Sequence, residues 1–443
     1  MDETWQRELA EFIAIPSVSA DPAHRDDVKR AGEWVCDFIR RIGGSAELTP
    51  IGERELALGE IPASHDPASA PTVLCYGHFD VQPPAPLELW ESDPFELTIR
   101  DGWAYARGVT DDKGQLYILL KAAQRLVEAN ALPVNLRFAC DGEEETGGDT
   151  IVHWIEADER GADAGIIFDG GMLRMDIPAI ELATRGLVAF DVEVQTGERD
   201  LHSGMYGGAA LNAVHVLMRC FGAVLARENG LLPEPLRAGI APPTQEELAS
   251  WAALPSGGEE LESQGARPLD PHAVEQFYIR TFAEPSADVT GILGGKPGLR
   301  NTTLSVRAFG QVTIRLAPGQ DLETIARTAE QMLRDAAPAG AELSIRWDGA
   351  GPGRVDPASP VVKLAQDGFE RVLGRRPLLL RTGGTLPIMP ALEHKAIPTV
   401  LSGFGLPESN VHSPNERFLL RYFDQGVETA AAVYSMLGEL PTR

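Results

Sequence analysis

The sequence predicts an α/β fold on a mixed sheet, with a smaller α+β domain inserted into it. Apolar, β-rich runs at 72–79, 134–140 and 164–168 alternate with helical patterns, as in a sheet of crossover-connected strands. A strictly alternating run at 187–194 then opens a stretch of different character. At 443 residues the chain is also longer than a single core usually grows. We therefore expect the main domain at 1–185 and 350–443, with a second domain inserted at 186–349.

The elements follow in order. Val28, Ala31, Val35, Phe38, Ile39 and Ile42 recur at three- and four-residue spacing, so 27–42 is an amphipathic helix, with a shorter helix before it. A helix over 114–130 joins the first two apolar runs. Beyond 187–194 come a helical stretch at 211–228, a Pro/Gly/Glu-rich passage to about 265, a strand at 311–316, a helix at 322–336 and a strand at 342–347. The Gly/Pro segment 349–353 closes the insertion. Helices at 361–373 and 422–437 complete the main domain.

Composition narrows the function. Lys and Arg total 39 against 65 Asp and Glu, a net charge of −26 that repels nucleic acid and anionic membranes alike. Acidity of this kind serves solubility, or gathers carboxylates around divalent cations. Cys36, Cys75, Cys140 and Cys220 lie far apart without paired spacing and read as buried thiols of a reducing compartment. With no leader-like start and no membrane-length apolar run, a cytoplasmic location is expected.

In an α/β sheet, ligands collect beyond the carboxyl ends of the strands. Each of the three apolar runs ends there in His, Asp or Glu. His78 and Asp80 close the first, two residues apart and hence on one face, where the carboxylate can orient the imidazole. Alone, such a pair is an ordinary hydrogen bond. Asp111 and Asp112 stand at the mouth of the next helix, where an N-cap role accounts for one of them and even for both; the alternative is that Asp111 spans two cations with its two oxygens. Glu143, Glu144 and Glu145 follow the second run and need a counter-charge unless the loop is solvated. If that segment is extended, Glu145 faces a metal while Glu144 faces the attacking water as general base. With Asp169 after the third run and His412 near the C-terminus, His78, Asp111, Glu145, Asp169 and His412 form an imidazole and carboxylate set without thiolate, suited to a catalytic metal pair. Zinc fits it, as do manganese and cobalt.

Seven ordered runs make the reading specific: YGHFDVQP from Tyr76, ARGVTDDKG from Ala106, DGEEETGG from Asp141, RDLHSGMYGG from Arg199, VTIRLAPGQ from Val312, RTGGTLP from Arg381 and NVHSPNE from Asn410. Together they resemble the two-zinc metallopeptidases of the carnosine dipeptidase, aminoacylase and acetylornithine deacetylase type, and the dipeptidase branch most of all. The resemblance implies two zinc ions per subunit, with His78 and Asp169 on one, Glu145 and His412 on the other and Asp111 bridging. It implies Glu144 as general base, Asp80 as the group orienting His78, and a homodimer in which His202 crosses to the partner's site to steady the oxyanion. It also makes Arg315, Thr302, Gly383, Gly384 and Thr385 candidates for gripping the free C-terminal carboxylate of a small peptide, a task that suits the planar guanidinium fork. For Arg315 the plainer alternative is a surface ion pair. Asn301 to Ser305 and the Gly170-Gly171 pair depart from the animal carnosinases.

The expected reaction is hydrolysis of a dipeptide amide. An N-acyl amino acid deacylase with the same site and a non-catalytic binding protein are the alternatives. Gly294-Gly295-Lys296-Pro297 is no phosphate loop, because Pro stands where Ser or Thr should hold magnesium.

Overall fold

The computed structural model describes residues 3–295, 298 and 301–441, so Lys296 and Pro297 of the rejected phosphate loop lie outside the described residues. The chain forms two compact units, one of 1–182, 355–380 and 391–443, the other of 183–354 and 381–390. The short segment 381–390 thus groups with the inserted unit, although the sequence gives no break on either side of it.

The first unit is built on an eight-stranded mixed sheet. In spatial order its strands are Ser45–Ile51, Arg54–Ile61, Asn135–Asp141, Thr72–His78, Ala164–Phe168, Thr399–Ser402, Ala179–Glu181 and Leu378–Leu380. The four central strands, from Asn135–Asp141 to Thr399–Ser402, run parallel, so their carboxyl ends share one edge. Register is set there by residues buried on both faces: Cys75 lies opposite Phe138 and Ile166, and His78 opposite Asp141.

Helices cover the sheet. Arg25–Arg41 places Asp26 and Asp27 in its first turn and Arg40 and Arg41 in its last, matching the helix dipole, and buries Val28, Ala31, Val35 and Ile39 toward the Ser45–Ile61 hairpin. Lys113–Glu128 packs between the central strand and Leu420–Leu437, with Leu116, Leu119 and Leu120 fully buried. Pro360–Leu373 packs on Leu420–Leu437 and ends at Gly374, whose φ of 68° is the left-handed conformation that glycine accepts at a helix end.

The second unit has a four-stranded antiparallel sheet in the order Ser286–Gly294, Arg307–Leu316, Gly186–Gln195, Glu342–Ala350. Val188, Phe190, Val192 and Val194 alternate inward, meeting Val216, Leu217 and Phe221 of Ala213–Val224 and Ile325, Ala329 and Leu333 of Leu322–Ala336. Ala213–Val224 is shorter at both ends than its periodicity suggests: the Asn212 carboxamide caps Val214 and His215, and Leu225 turns extended. The Pro/Gly/Glu-rich passage before 265 contains the helices Gln245–Trp251 and Gly257–Ser263, each opened by a capping box, from Thr244 to Glu247 and from Ser256 to Glu259. Among the described residues no helix is long and apolar enough to cross a membrane.

Candidate metal centre

The carboxyl edge of the parallel strands gathers the titratable groups. His78 ends its strand fully buried, and its Nε2 lies 3.0 Å from Asp111 Oδ1 and 3.7 Å from Asp169 Oδ1. On the other oxygen of the same carboxylate, Asp111 Oδ2 is 2.9 Å from His412 Nε2, which is itself 3.1 Å from Glu145 Oε2. Two triads result, His78–Asp111–Asp169 and Asp111–Glu145–His412, each with its ligand atoms within 4.8 Å of one another and with Asp111 common to both.

The donors fit divalent cations. A tetrahedral ion with bonds of about 2.0 Å sets its ligand atoms about 3.3 Å apart. The separations of 2.9 to 3.7 Å bracket that edge. All donors are imidazole nitrogens and carboxylate oxygens, the set that zinc and manganese accept.

Charge is poised accordingly. Burial alone would lower the His78 pKa, but Asp111, Asp169 and Asp80 outweigh it and hold the imidazolium well above its ordinary range. Hydrogen bonds to Asp111 and Glu145 raise His412 to about 10. Burial would raise Asp111, yet the two imidazoles bring it below the usual carboxylate range. Asp169 is pushed up to about 6 by burial, against the pull of His78. Glu144 is pushed up to about 8, by burial first, with His78 opposing and Asp169, Asp111 and Glu145 adding to the rise. That value belongs to the metal-free cluster; cations held by the triads would lower it toward the range in which a carboxylate takes and returns a proton near neutrality.

The three glutamates divide differently from the extended segment expected. Glu144–Thr146 is a 3₁₀ turn, so the tight helical rotation rather than strand alternation separates Glu144 from Glu145. Glu143 leaves the cluster altogether: it accepts the Thr150 N–H at 3.0 Å and pairs with Arg54 at 3.1 Å, opening the helix Thr150–Ala157. Asp80 has a broader part than orienting His78. The His78 Nδ1 lies 3.1 Å from the Asp80 carbonyl and 3.3 Å from its Oδ1, an oxygen left without a hydrogen bond, while Asp80 Oδ2 accepts the Glu145 N–H at 3.1 Å. His412 sits on a loop with φ of 60°, a left-handed conformation in which non-glycine residues are held at functional sites.

The sequence decides its kinship: the model of Peptidase family M20/M25/M40 matches residues 74–435. The chain is an M20 peptidase. It is 28% identical to the β-Ala-His dipeptidase of Homo sapiens over 466 residues, covering 98% of this chain and 90% of that one. It is likewise 28% identical to the cysteinylglycine-S-conjugate dipeptidase of Corynebacterium striatum, covering 93% and 90%. Its fold superposes on the M20 family metallo-carboxypeptidase of Sulfolobus solfataricus with a TM-score of 0.86 at 26% identity, covering 99% of this chain and all of that one. As a peptidase it is a hydrolase acting on peptide bonds.

Three supporting residues of this M20 peptidase escaped the sequence reading. Glu416, fully buried, accepts from Arg107 Nη1 at 2.7 Å and from the backbone N–H groups of Gly108, Thr110 and Asp111 at 3.0, 2.8 and 3.1 Å, pinning the loop that presents Asp111. Gln82 grips Glu145, donating from its backbone at 3.1 Å and its carboxamide at 2.8 Å. Both lie inside quoted motifs, which was the available signal. The third is Arg185 in the second unit, buried and donating to the Glu284 carbonyl at 3.0 Å and the Ser286 hydroxyl at 2.9 Å. Burial, then the neighbouring Arg315, lowers its pKa to about 10.

The remaining candidates form two groups within the second unit. Arg315 donates to the Thr385 hydroxyl at 3.0 Å, Thr385 donates to the Arg185 carbonyl at 2.8 Å, and the Arg185 N–H reaches the Gly384 carbonyl at 3.0 Å. Gly383 is exposed beside them. Among the described residues Arg315 has no ion-pair partner, so the surface-pair alternative is not what the structure contains. Thr302 instead adjoins His202, its carbonyl accepting the Ser203 N–H at 2.7 Å, on the short ribbon of Leu201–His202 and Thr303–Leu304.

Proposed function

We propose that this chain hydrolyses the amide bond of dipeptides and similar small peptides at a centre of two divalent cations, zinc or a comparable metal. The observation that carries the reading is the pair of triads sharing the two oxygens of Asp111, with Glu144 beside them. His78 and Asp169 would hold one cation, Glu145 and His412 the other, and Asp111 both. Such a pair, when bound, acidifies the attacking water and offsets the charge that develops on the carbonyl oxygen.

The chain's own groups do the rest. Glu144 takes the water's proton and returns it to the leaving amine. Asp80 and Gln82 keep His78 and Glu145 in place. Arg315, with Thr385, Gly383 and Gly384, is the candidate grip on the substrate's free C-terminal carboxylate, the adjacent Arg185 adds a second positive charge, and Thr302, beside His202, is a separate candidate for the same task. A homodimer is part of the same reading, with His202 of the partner subunit donating to the oxyanion. Supporting that role, the His202 Nδ1 accepts the Gly204 N–H at 3.0 Å, which leaves the proton on Nε2, on an exposed ring free to donate.

The test is a parallel assay of purified protein, reconstituted with zinc or with manganese, against a dipeptide panel and against acetylated and succinylated amino acids. Turnover of dipeptides is expected. Turnover confined to the acyl amino acids would make the chain a deacylase, and none with either metal in folded protein would leave a binding protein.

A further inference from the structure

Beside the two triads the first unit holds a cavity of about 250 Å³, which shares Asp111 and Asp169 with them. Its other walls are the side chains of Met172, Leu406, Pro407 and Val411, the polar Thr110 and Gln115, and the backbone of Gly170, Gly171 and Gly405. We propose that this cavity recognises the side chain of the substrate residue that supplies the scissile carbonyl, and that it selects an uncharged, apolar one. The inference rests on the dipeptidase reading and specifies its substrate.

Position comes first. The carbonyl under attack must lie at the triads, and its own Cα is one bond away, so that residue's side chain is the one that reaches a space bounded by Asp111 and Asp169. The leaving residue's side chain starts beyond the amide nitrogen, one bond farther from that carbonyl and on its opposite side. The cavity is also below the ~300–1,000 Å³ of sites that enclose whole drug-sized ligands, which suits one side chain.

Chemistry comes second. Every polar side chain in the lining outside the triads is already engaged. The Gln115 carboxamide donates to the carbonyls of Thr110 and Gly170 at 3.1 and 3.2 Å and accepts the Phe404 N–H at 2.7 Å, and the Thr110 hydroxyl donates to the Arg417 carbonyl at 2.9 Å. Asp111 and Asp169 belong to the cations. A charged side chain entering here would lose its water and find no partner, whereas an aliphatic one meets Met172, Leu406, Pro407 and Val411.

Rigidity comes third. Gly170 donates to the Ser402 carbonyl at 3.0 Å and Met172 to the Gly405 carbonyl at 2.8 Å, so the wall runs as a bridge of fixed backbone. A Cβ on Gly171 would come within 2.6 Å of the Gly405 carbonyl oxygen, so that wall tolerates no side chain of its own.

The test is kcat/KM for a series X-Gly with X as Gly, Ala, Leu, Met, Phe, Asp and Lys. Leu-Gly and Met-Gly should exceed Gly-Gly by ~10- to 100-fold, the range for burying one aliphatic side chain, with Asp-Gly and Lys-Gly no better than Gly-Gly. Two variants read the pocket through ratios taken within one protein. Val411→Asp, at a position 42% exposed, should raise Lys-Gly relative to Leu-Gly by roughly tenfold, and Met172→Ala should raise Phe-Gly relative to Ala-Gly. Turnover without apolar preference, or with ratios unmoved in both variants, overturns this inference and leaves the dipeptidase reading standing. Absence of turnover on every member overturns both.

Discussion

Replacing Glu416 by Gln isolates the support of the centre from its chemistry. Oε2 of Glu416 receives Arg107 Nη1 and the Gly108 N–H, and Oε1 receives the N–H groups of Thr110 and Asp111. A carboxamide keeps one oxygen and turns an NH₂ toward the other two donors, so two buried contacts become donor against donor in either orientation. Leaving two buried donors unsatisfied costs about 2–6 kcal/mol, and about 3–5 kcal/mol if the orphan is the charged Arg107. We expect a loss near 4 kcal/mol, or about 8–16 °C in Tm for a unit of this size. The assay is thermal and urea unfolding of metal-free protein at pH 8, above the value of about 7 to which burial pushes Glu416 against the pull of Arg107. Zinc affinity should fall roughly 10- to 100-fold in parallel, since Asp111 loses its fixed backbone. An unchanged unfolding midpoint together with unchanged zinc affinity would refute the reasoning.

Four other outcomes are expected. Glu144→Gln should lower kcat by ~10²- to 10⁴-fold with metal content intact by elemental analysis, the range for losing a general base. Arg315→Lys, which keeps the charge and loses the fork, should raise KM roughly tenfold for dipeptides with a free carboxylate and leave unfolding unchanged. In metal-free protein His78 and His412 hold protons above their ordinary pKa, so zinc affinity should rise from pH 6 to 8 and binding should release protons, seen as a dependence of calorimetric heat on buffer ionisation enthalpy. The linked sign is that the raised imidazoles stabilise the metal-free fold fully below the unfolded value near 6.5 and lose that contribution as pH climbs toward about 10, so its Tm should fall between pH 6.5 and 9.

Regular elements were legible wherever one physical period dominated. The helix Leu322–Ala336 and the strand Ala164–Phe168 have the bounds their patterns gave, because one is cleanly amphipathic and capped by Asp321 and the other is buried on both faces. The helices Gln245–Trp251 and Gly257–Ser263 were hidden by neighbouring prolines and glycines, although their capping boxes stand in the sequence. The strand Ser286–Gly294, an edge strand with no residue fully buried, had no apolar alternation to betray it. At the centre, His78, Asp111, Glu145, Asp169 and His412 could be named from strand ends and motifs because each is a chemically costly group in its place. The turn that separates Glu144 from Glu145 could not, since 3₁₀ and extended backbones read alike over three glutamates. Nor could the work of Glu416, Gln82 and Arg185, which depends on partners as distant as 309, 63 and 101 residues along the chain.

The most direct test of the centre is to count its metals. Metal-free protein dialysed against zinc and analysed for bound metal per chain should hold two ions, and Asp111→Asn, which removes the shared carboxylate, should hold fewer than one at the same free concentration. Two ions retained by Asp111→Asn, or none bound by the folded wild-type chain, would contradict the account.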